Sequence, residues 1–297
     1  MKELKIKNFE VLPFKDTQAI ETHKHMPKMH QLCVAVGKRA SGKTTFLTNL
    51  LEHLPIDRLF IISPSMKSNK GLMDRLKGMC DEIDIFDDPD DVSCLEEIKG
   101  RIEQERDDLE TYWEDIKRYN KMMKKVNSRH QFVDIDDEDM LSFFTAGRFQ
   151  EPKHKWGGRK PCVSILIDDA QGSALYKGRK LNQFCIYHRH IGGFKKGGAL
   201  GCSLFFAIQN YKSQSGGLSR TIRNNTTSLV VFKNKDEKEM KEISKEVNGE
   251  VDEETFNRVY DQAFDGEGEH NCLFIDLHKK KDQPSMFRRN LDTYLVL

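Results

Sequence analysis

The stretch VAVGKRASGKTTFLTNLL (residues 34–51) decides how the rest of the chain is read. An apolar run ends at Gly37, four residues follow, and Gly42, Lys43 and Thr44 complete the pattern G-x-x-x-x-G-K-T. The preceding HQLCVAV (30–36) is a short apolar run of the kind a strand buried on both faces presents. After the pattern, Phe46, Leu47, Leu50 and Leu51 recur at helical spacing, and Pro55 stops the helix expected over 44–53. A turn of this spacing between a buried strand and a helix is the context that makes it a phosphate loop. The loop residues Gly37, Lys38, Arg39, Ala40, Ser41, Gly42, Lys43, Thr44 and Thr45 then surround a nucleotide's phosphates. Backbone N–H groups at the helix N-terminus point at them, and the helix dipole favours their charge. Lys43 reaches the β- and γ-phosphates, and Thr44 binds magnesium.

Working outward, RLFIIS (58–63), CVSILIDDAQ (162–171), CSLFFAIQN (202–210), TSLVVFK (227–233) and NCLFIDL (271–277) read as further buried strands. A charged helix is expected over about 235–247. Strand, loop, helix and strand in this order predict an α/β domain with a mainly parallel sheet flanked by helices. Residues 1–29 form an N-terminal segment, and residues 30–297 a P-loop ATPase domain. Within that domain, 93–160 reads as a charged insertion. Leu95, Ile98, Ile102, Leu109, Tyr112, Trp113, Ile116 and Tyr119 recur at helix-like spacing there, predicting one long amphipathic helix or a helical hairpin. The acidic run 134–140 lacks the glycine and spacing of a calcium loop and reads as a solvated linker. Residues 147–161 read as a loop.

Composition narrows the function classes. The chain has 297 residues and a formal net charge of +1. From Asp81 to Asp115 there are sixteen acids and three Lys or Arg; from Ala170 to Lys235 there are eleven Lys or Arg and no acid. The acid-free stretch either faces a polyanion or pairs with the acidic segment. No window approaches the roughly 18 apolar residues of a membrane span, and the N-terminus shows no signal-peptide apolar region. Seven scattered cysteines without a C-x-x-C pair read as reduced thiols. The pairs His23/His25 and His188/His190 lack an acid or cysteine partner in the sequence and are not read as metal sites.

The strand VSILI ends in Asp168 and Asp169. Asp168 is expected to hold the magnesium hydration shell with Thr44, and Asp169 to polarise an attacking water. A small-molecule kinase must exclude water, so this second acid argues for NTP hydrolysis. Gln209, at the end of SLFFAIQN, is read as a γ-phosphate or water sensor, with a polar strand cap as the plain alternative. Transition-state charge calls for an arginine. Arg220 and Arg223, in GGLSRTIRNNTTSL, could supply it from a neighbouring subunit. Arg39 could supply it within the chain; large terminase motors resemble this sequence there, with an arginine at that place in the loop. Lys195 and Lys196, in GGFKKGGAL (192–200), form a glycine-flanked anion hook suited to DNA phosphates, without interleaved aromatics for reading bases.

GKRASGKT, ILIDD, HRHIG…CSLFFAIQ and LSRTIRNNTTSLVVFKN occur in that order. The set resembles the genome-packaging ATPases of poxviruses, giant viruses and virophages, in the FtsK–HerA superfamily, over roughly residues 28–235 apart from the insertion. The resemblance implies an ASCE-type P-loop fold in which the strand ending at Gln209 lies between the P-loop strand and the strand of Asp168. It implies ATP and Mg2+, a pentameric or hexameric homo-oligomeric ring, double-stranded DNA gripped by its backbone, and a capsid or portal protein as partner. It places the protein in the host-cell cytoplasm, viral factory or virion, with no membrane partner. Arg223, in IRNN, becomes the first choice for the trans arginine. The sequence departs from the family in Lys38 and Arg39, in the enlarged 192–200 link, and in SQSGGLS where a proline turn is common. Two other functions share these motifs: a HerA- or FtsK-like translocase or helicase outside packaging, and an ATP-dependent switch or scaffold that binds capsid or portal protein.

Overall fold

The computed structural model describes residues 20–127, 150–212, 217–247, 249, 251–265, 268 and 270–297. The expectations for residues 1–19, for the acidic run 134–140 and for the start of the 147–161 loop lie outside these. The six strands read from the sequence form as β1 (Leu32–Val36), β2 (Arg58–Ile62), β4 (Val163–Asp168), β5 (Cys202–Ile208), β6 (Ser228–Phe232) and β7 (Cys272–Asp276). Three short strands join them: β3 (Ile85–Phe86), β8 (Phe287–Arg289) and β9 (Thr293–Leu295). All nine make one sheet in the order β3-β2-β4-β5-β1-β6-β7-β8-β9. From β3 to β6 every pairing is parallel, and from β6 to β9 every pairing is antiparallel. The sheet is therefore mainly parallel, with an antiparallel extension built from the C-terminal residues.

The core explains why these segments became strands. Leu32, Val34 and Val36 of β1 enter one apolar cluster, while Cys33 and Ala35 enter a second on the opposite face. Leu204, Phe206 and Ile208 of β5 divide from Phe205 and Ala207 in the same way. Side chains alternate between faces with period two, so a strand covered on both sides must be apolar throughout. Helix α1 (Lys43–Glu52) covers one face with Phe46, Leu47, Leu50 and Leu51, the stripe read from the sequence, and α2 (Lys70–Leu76) lies beside it. The other face is covered in part by α3 (Cys94–Asn127) and α5 (Arg179–Tyr187), which follows the short α4 (Ala174–Lys177). Helices α6 (Arg220–Asn224), α7 (Glu237–Val247) and α8 (Glu253–Phe264) complete that layer.

The charged segment after residue 93 is one helix of 34 residues rather than a hairpin, about 50 Å long at 1.5 Å per residue. Cys94, Leu95, Ile98, Ile102 and Leu109 anchor its first half in the core. Arg58, at the start of β2, donates to Asp84 and to Glu105 of α3 at 2.8 Å each, which fixes the helix against the sheet edge. All seven cysteines are free thiols. Burial pushes that of Cys33 up to about 12 and that of Cys94 up to about 11, which leaves both unreactive at neutral pH.

Candidate active site

The loop between β1 and α1 is shaped by a hydrogen bond, a steric limit and two left-handed residues. The Gly37 N–H donates to Ile208 O at 3.1 Å, tying the loop to the end of β5. A side chain at Gly37 would stand 2.7 Å from Phe232 Cβ, so only glycine fits there. Ala40 and Gly42 take positive φ values of 60° and 100°. Such turns point successive N–H groups to one side and make an anion cradle.

Lys43 is buried at the mouth of this cradle, and its ammonium donates to Gly37 O at 2.8 Å and Lys38 O at 2.9 Å. Burial lowers its pKa, while Asp168 and Asp169 pull it back up. Thr44 Oγ1 donates to Asp168 Oδ2 at 2.8 Å. Asp168 ends β4 and is 3% exposed. Burial pushes its carboxyl above the ordinary range; the Thr44 hydrogen bond opposes this, and the neighbouring Asp169 charge adds to it. A buried carboxylate hydrogen-bonded to a threonine hydroxyl, beside the phosphate cradle, is the hard oxygen donor set that suits Mg2+. Thr44 and Asp168 are the residues that would hold it.

Asp169 has a left-handed backbone, with φ 51°. Its Oδ2 accepts from Ser65 Oγ at 3.0 Å, after β2. Gln209 follows β5, which pairs with β1 on one side and β4 on the other. The sensor strand therefore lies between the loop strand and the acid strand. One cleft of about 960 Å³ is lined by Arg39, Lys43, Thr44, Asp168, Asp169 and Gln209 together.

Two sets of residues at this cleft escape sequence reading. Gln171 follows the acid pair by two positions. Its Oε1 accepts from the N–H groups of Gln209 and Asn210 at 2.7 and 3.1 Å, and its Nε2 donates to Asn210 O at 2.7 Å. It thus fastens the acid turn to the sensor strand. The only sequence signal was its place in the run DDAQ. His270, Asn271, Asn290, Leu291 and Asp292, from the turns flanking β7 and β8, form another wall of the cleft. Nothing in their local pattern marks them.

The remaining candidates are dispersed. Arg39 is exposed on the cleft. Arg223 is held within its own chain, 3.4 Å from Glu246 and over the Tyr211 ring at 5.8 Å. Arg220, at the start of α6, is exposed. Lys195 pairs with Glu110 of α3 at 3.7 Å, and Lys196 is exposed. No described helix is long and apolar enough to cross a membrane.

No protein-family model matches the chain, and no curated protein matches it in sequence. Its structure is similar to several solved structures at low identity. One is the genome packaging NTPase B204 of Sulfolobus turreted icosahedral virus 2 bound to ATP-gammaS, at 12% identity and TM-score 0.40, covering 90% of this chain and 98% of that one. Another is the pCW3 conjugation coupling protein TcpA, at 14% identity and TM-score 0.40, covering 95% and 70%. A third is VirB4 of Thermoanaerobacter pseudethanolicus, at 13% identity and TM-score 0.41, covering 89% of each chain. At these identities the likeness is one of fold.

Proposed function

We propose that the chain is an ATP-hydrolysing motor that translocates double-stranded DNA, and that its work is packaging a viral genome into a preformed capsid. The observation that carries the ATPase reading is the Thr44–Asp168 bond of 2.8 Å at the mouth of the phosphate loop, with Lys43, Asp169 and Gln209 on the same cleft. Mg2+ held by Thr44 and Asp168 would neutralise charge on the phosphates. The loop N–H groups and Lys43 bind and orient the triphosphate. Asp169 takes the proton of the attacking water as its oxygen bonds to the γ-phosphorus. The bond to the β–γ bridging oxygen breaks, and ADP and phosphate leave. Gln209 orients that water. Developing charge is met by an arginine: Arg39 in cis, or Arg220 or Arg223 from the next subunit of a ring. Of the latter two, Arg220 needs no release from an internal partner.

DNA as the partner is supported by the charge distribution. Lys177, Arg179, Arg189, Lys196 and Arg220 are exposed and make no ion pair among the described residues. The pairs Lys180–Glu96 and Lys195–Glu110 account for only part of the basic stretch. The packaging role, a capsid or portal partner, and a viral-factory or virion location follow from the ordered motifs and their family resemblance. The test is the ATPase rate with and without long double-stranded DNA at two salt concentrations. A motor is expected to show several-fold stimulation that fades with salt, as phosphate contacts do. An active enzyme indifferent to DNA at both salts would favour the switch or scaffold function.

A further inference from the structure

We propose that His270 and Asn271, just before β7, and Asn290 and Leu291, just after β8, form the nucleoside subsite, with His270 as the surface on which the planar base stacks. The proposal rests on the phosphate-loop reading and deepens it. Its first support is topological. Asp169 and Gln209, the groups read as acting at the γ-phosphate and its water, directly follow β4 and β5, on one flank of the loop after β1. A triphosphate lying in the loop with its terminal phosphate toward that flank must direct its nucleoside toward the other flank, above β6, β7 and β8. The cleft continues there and is walled by His270, Asn271, Asn290 and Leu291.

The second support is the fit of that wall against the loop. A side chain at Gly42 would meet His270 Cβ at 3.4 Å and Cγ at 3.6 Å, so the imidazole lies directly beside the phosphate loop. His270 is exposed on the cleft, and half-buried Leu291 adds an apolar edge. An aromatic ring and an aliphatic edge are what a base needs for stacking.

The third support is rigidity. Asn290 is left-handed, with φ 55°. Its N–H donates to Cys272 O at 2.9 Å, and its Oδ1 accepts from the Cys272 N–H at 3.1 Å. Its Nδ2 donates to Asn271 Oδ1 at 3.2 Å, and Asn271 is 8% exposed. These bonds brace Asn271 and Cys272, beside His270, against Asn290, so this part of the wall requires little ordering when a base arrives. The antiparallel extension thereby has a role: it carries the base-side half of the cleft.

The test compares ligands that share phosphates but not a base. Calorimetric titrations of Mg·ATP and of inorganic tripolyphosphate would be run on the full chain, on His270→Ala, on His270→Phe and on Lys43→Ala. Stacking is worth about 1–3 kcal/mol per base, so His270→Ala is expected to weaken ATP binding by about fivefold or more. Tripolyphosphate binding is expected to stay within about twofold, and His270→Phe to restore most of the ATP affinity. Equal loss of both ligands in His270→Ala, or no loss of either, would overturn the proposal. ATP binding that survives Lys43→Ala but falls with His270→Ala would sink the phosphate-loop reading while leaving the base contact standing.

Discussion

Asp169 has a left-handed backbone, a conformation that a short polar side chain tolerates better than a bulky one. Its carboxylate accepts a hydrogen bond from Ser65 Oγ at 3.0 Å. The next turn residue to matter is Gln171, whose amide makes three hydrogen bonds to the backbone of Gln209 and Asn210. A water-activating acid and a sensor amide are useful only at a fixed separation, because misplacement by about an ångström can lower a rate about a hundredfold. On the proposed hydrolysis, Gln171 would hold that separation without touching the reacting atoms, as a positioning residue. Gln171→Ala is expected to lower kcat by about tenfold while ATP affinity changes less than about threefold. If it acts through Gln209, the double variant Gln171→Ala/Gln209→Ala will be no slower than Gln209→Ala alone. Steady-state rates of the four proteins give the answer, and fully additive losses would reduce Gln171 to a structural tie.

At the scale of elements, legibility followed burial. β1, β4 and β5 could be read because a strand covered on both faces is a run of apolar residues, and all seven residues of β5 are buried. β8 could not be read: it is FRR, and its Arg288 is 0% exposed. That guanidinium stacks over Tyr294 at 4.5 Å and donates to His25 O, contacts that no local pattern announces. The phosphate loop was legible because its chemistry lies in eight consecutive residues. Gln171, His270 and Asn290 were not, because what each one meets (Gln209, Gly42 and Cys272) lies far away in sequence. His188, set aside as a metal ligand, has a structural place of this kind. It follows α5, and its Nδ1 and Nε2 lie 2.8 and 3.2 Å from Cys185 O and His30 O, linking the helix to the chain entering β1. Burial lowers its pKa below the ordinary 6.5, the two carbonyl contacts opposing. The unfolded chain therefore binds the proton more readily than the folded one. Stability that depends on the neutral ring is complete above about pH 6.5 and is lost as pH falls toward the folded-state value. Urea midpoints measured from pH 7.5 to 5.5 should fall with acid in the unaltered chain and fall less steeply in His188→Gln. Parallel slopes would remove His188 from the account.

The whole molecule joins a cleft at one end of a parallel sheet to an exposed basic surface on helices α5 and α6. Arg220 and Arg223 lie on α6, within one turn of each other, yet they are differently engaged. Arg223 is committed to Glu246 and Tyr211, while Arg220 is exposed. An arginine that serves a neighbour's γ-phosphate must leave its own surface, and breaking a half-buried ion pair opposes that. Exposure therefore favours Arg220, whereas the IRNN resemblance favours Arg223. Subunit mixing distinguishes them. In a ring that shares sites between subunits, an Arg220→Ala subunit retains its phosphate loop and a Lys43→Ala subunit retains its arginine. Each alone should be inactive. Random one-to-one mixing restores a complete site wherever the two meet in the right order, roughly a quarter of all sites for a heterologous ring. ATPase activity of about that fraction on mixing would assign the finger to Arg220, and the same recovery with Arg223→Ala would assign it to Arg223. If neither mixture recovers and Arg39→Ala is also inactive, the charge is supplied in cis by Arg39, and the ring would then be needed for gripping DNA but not for completing the chemistry.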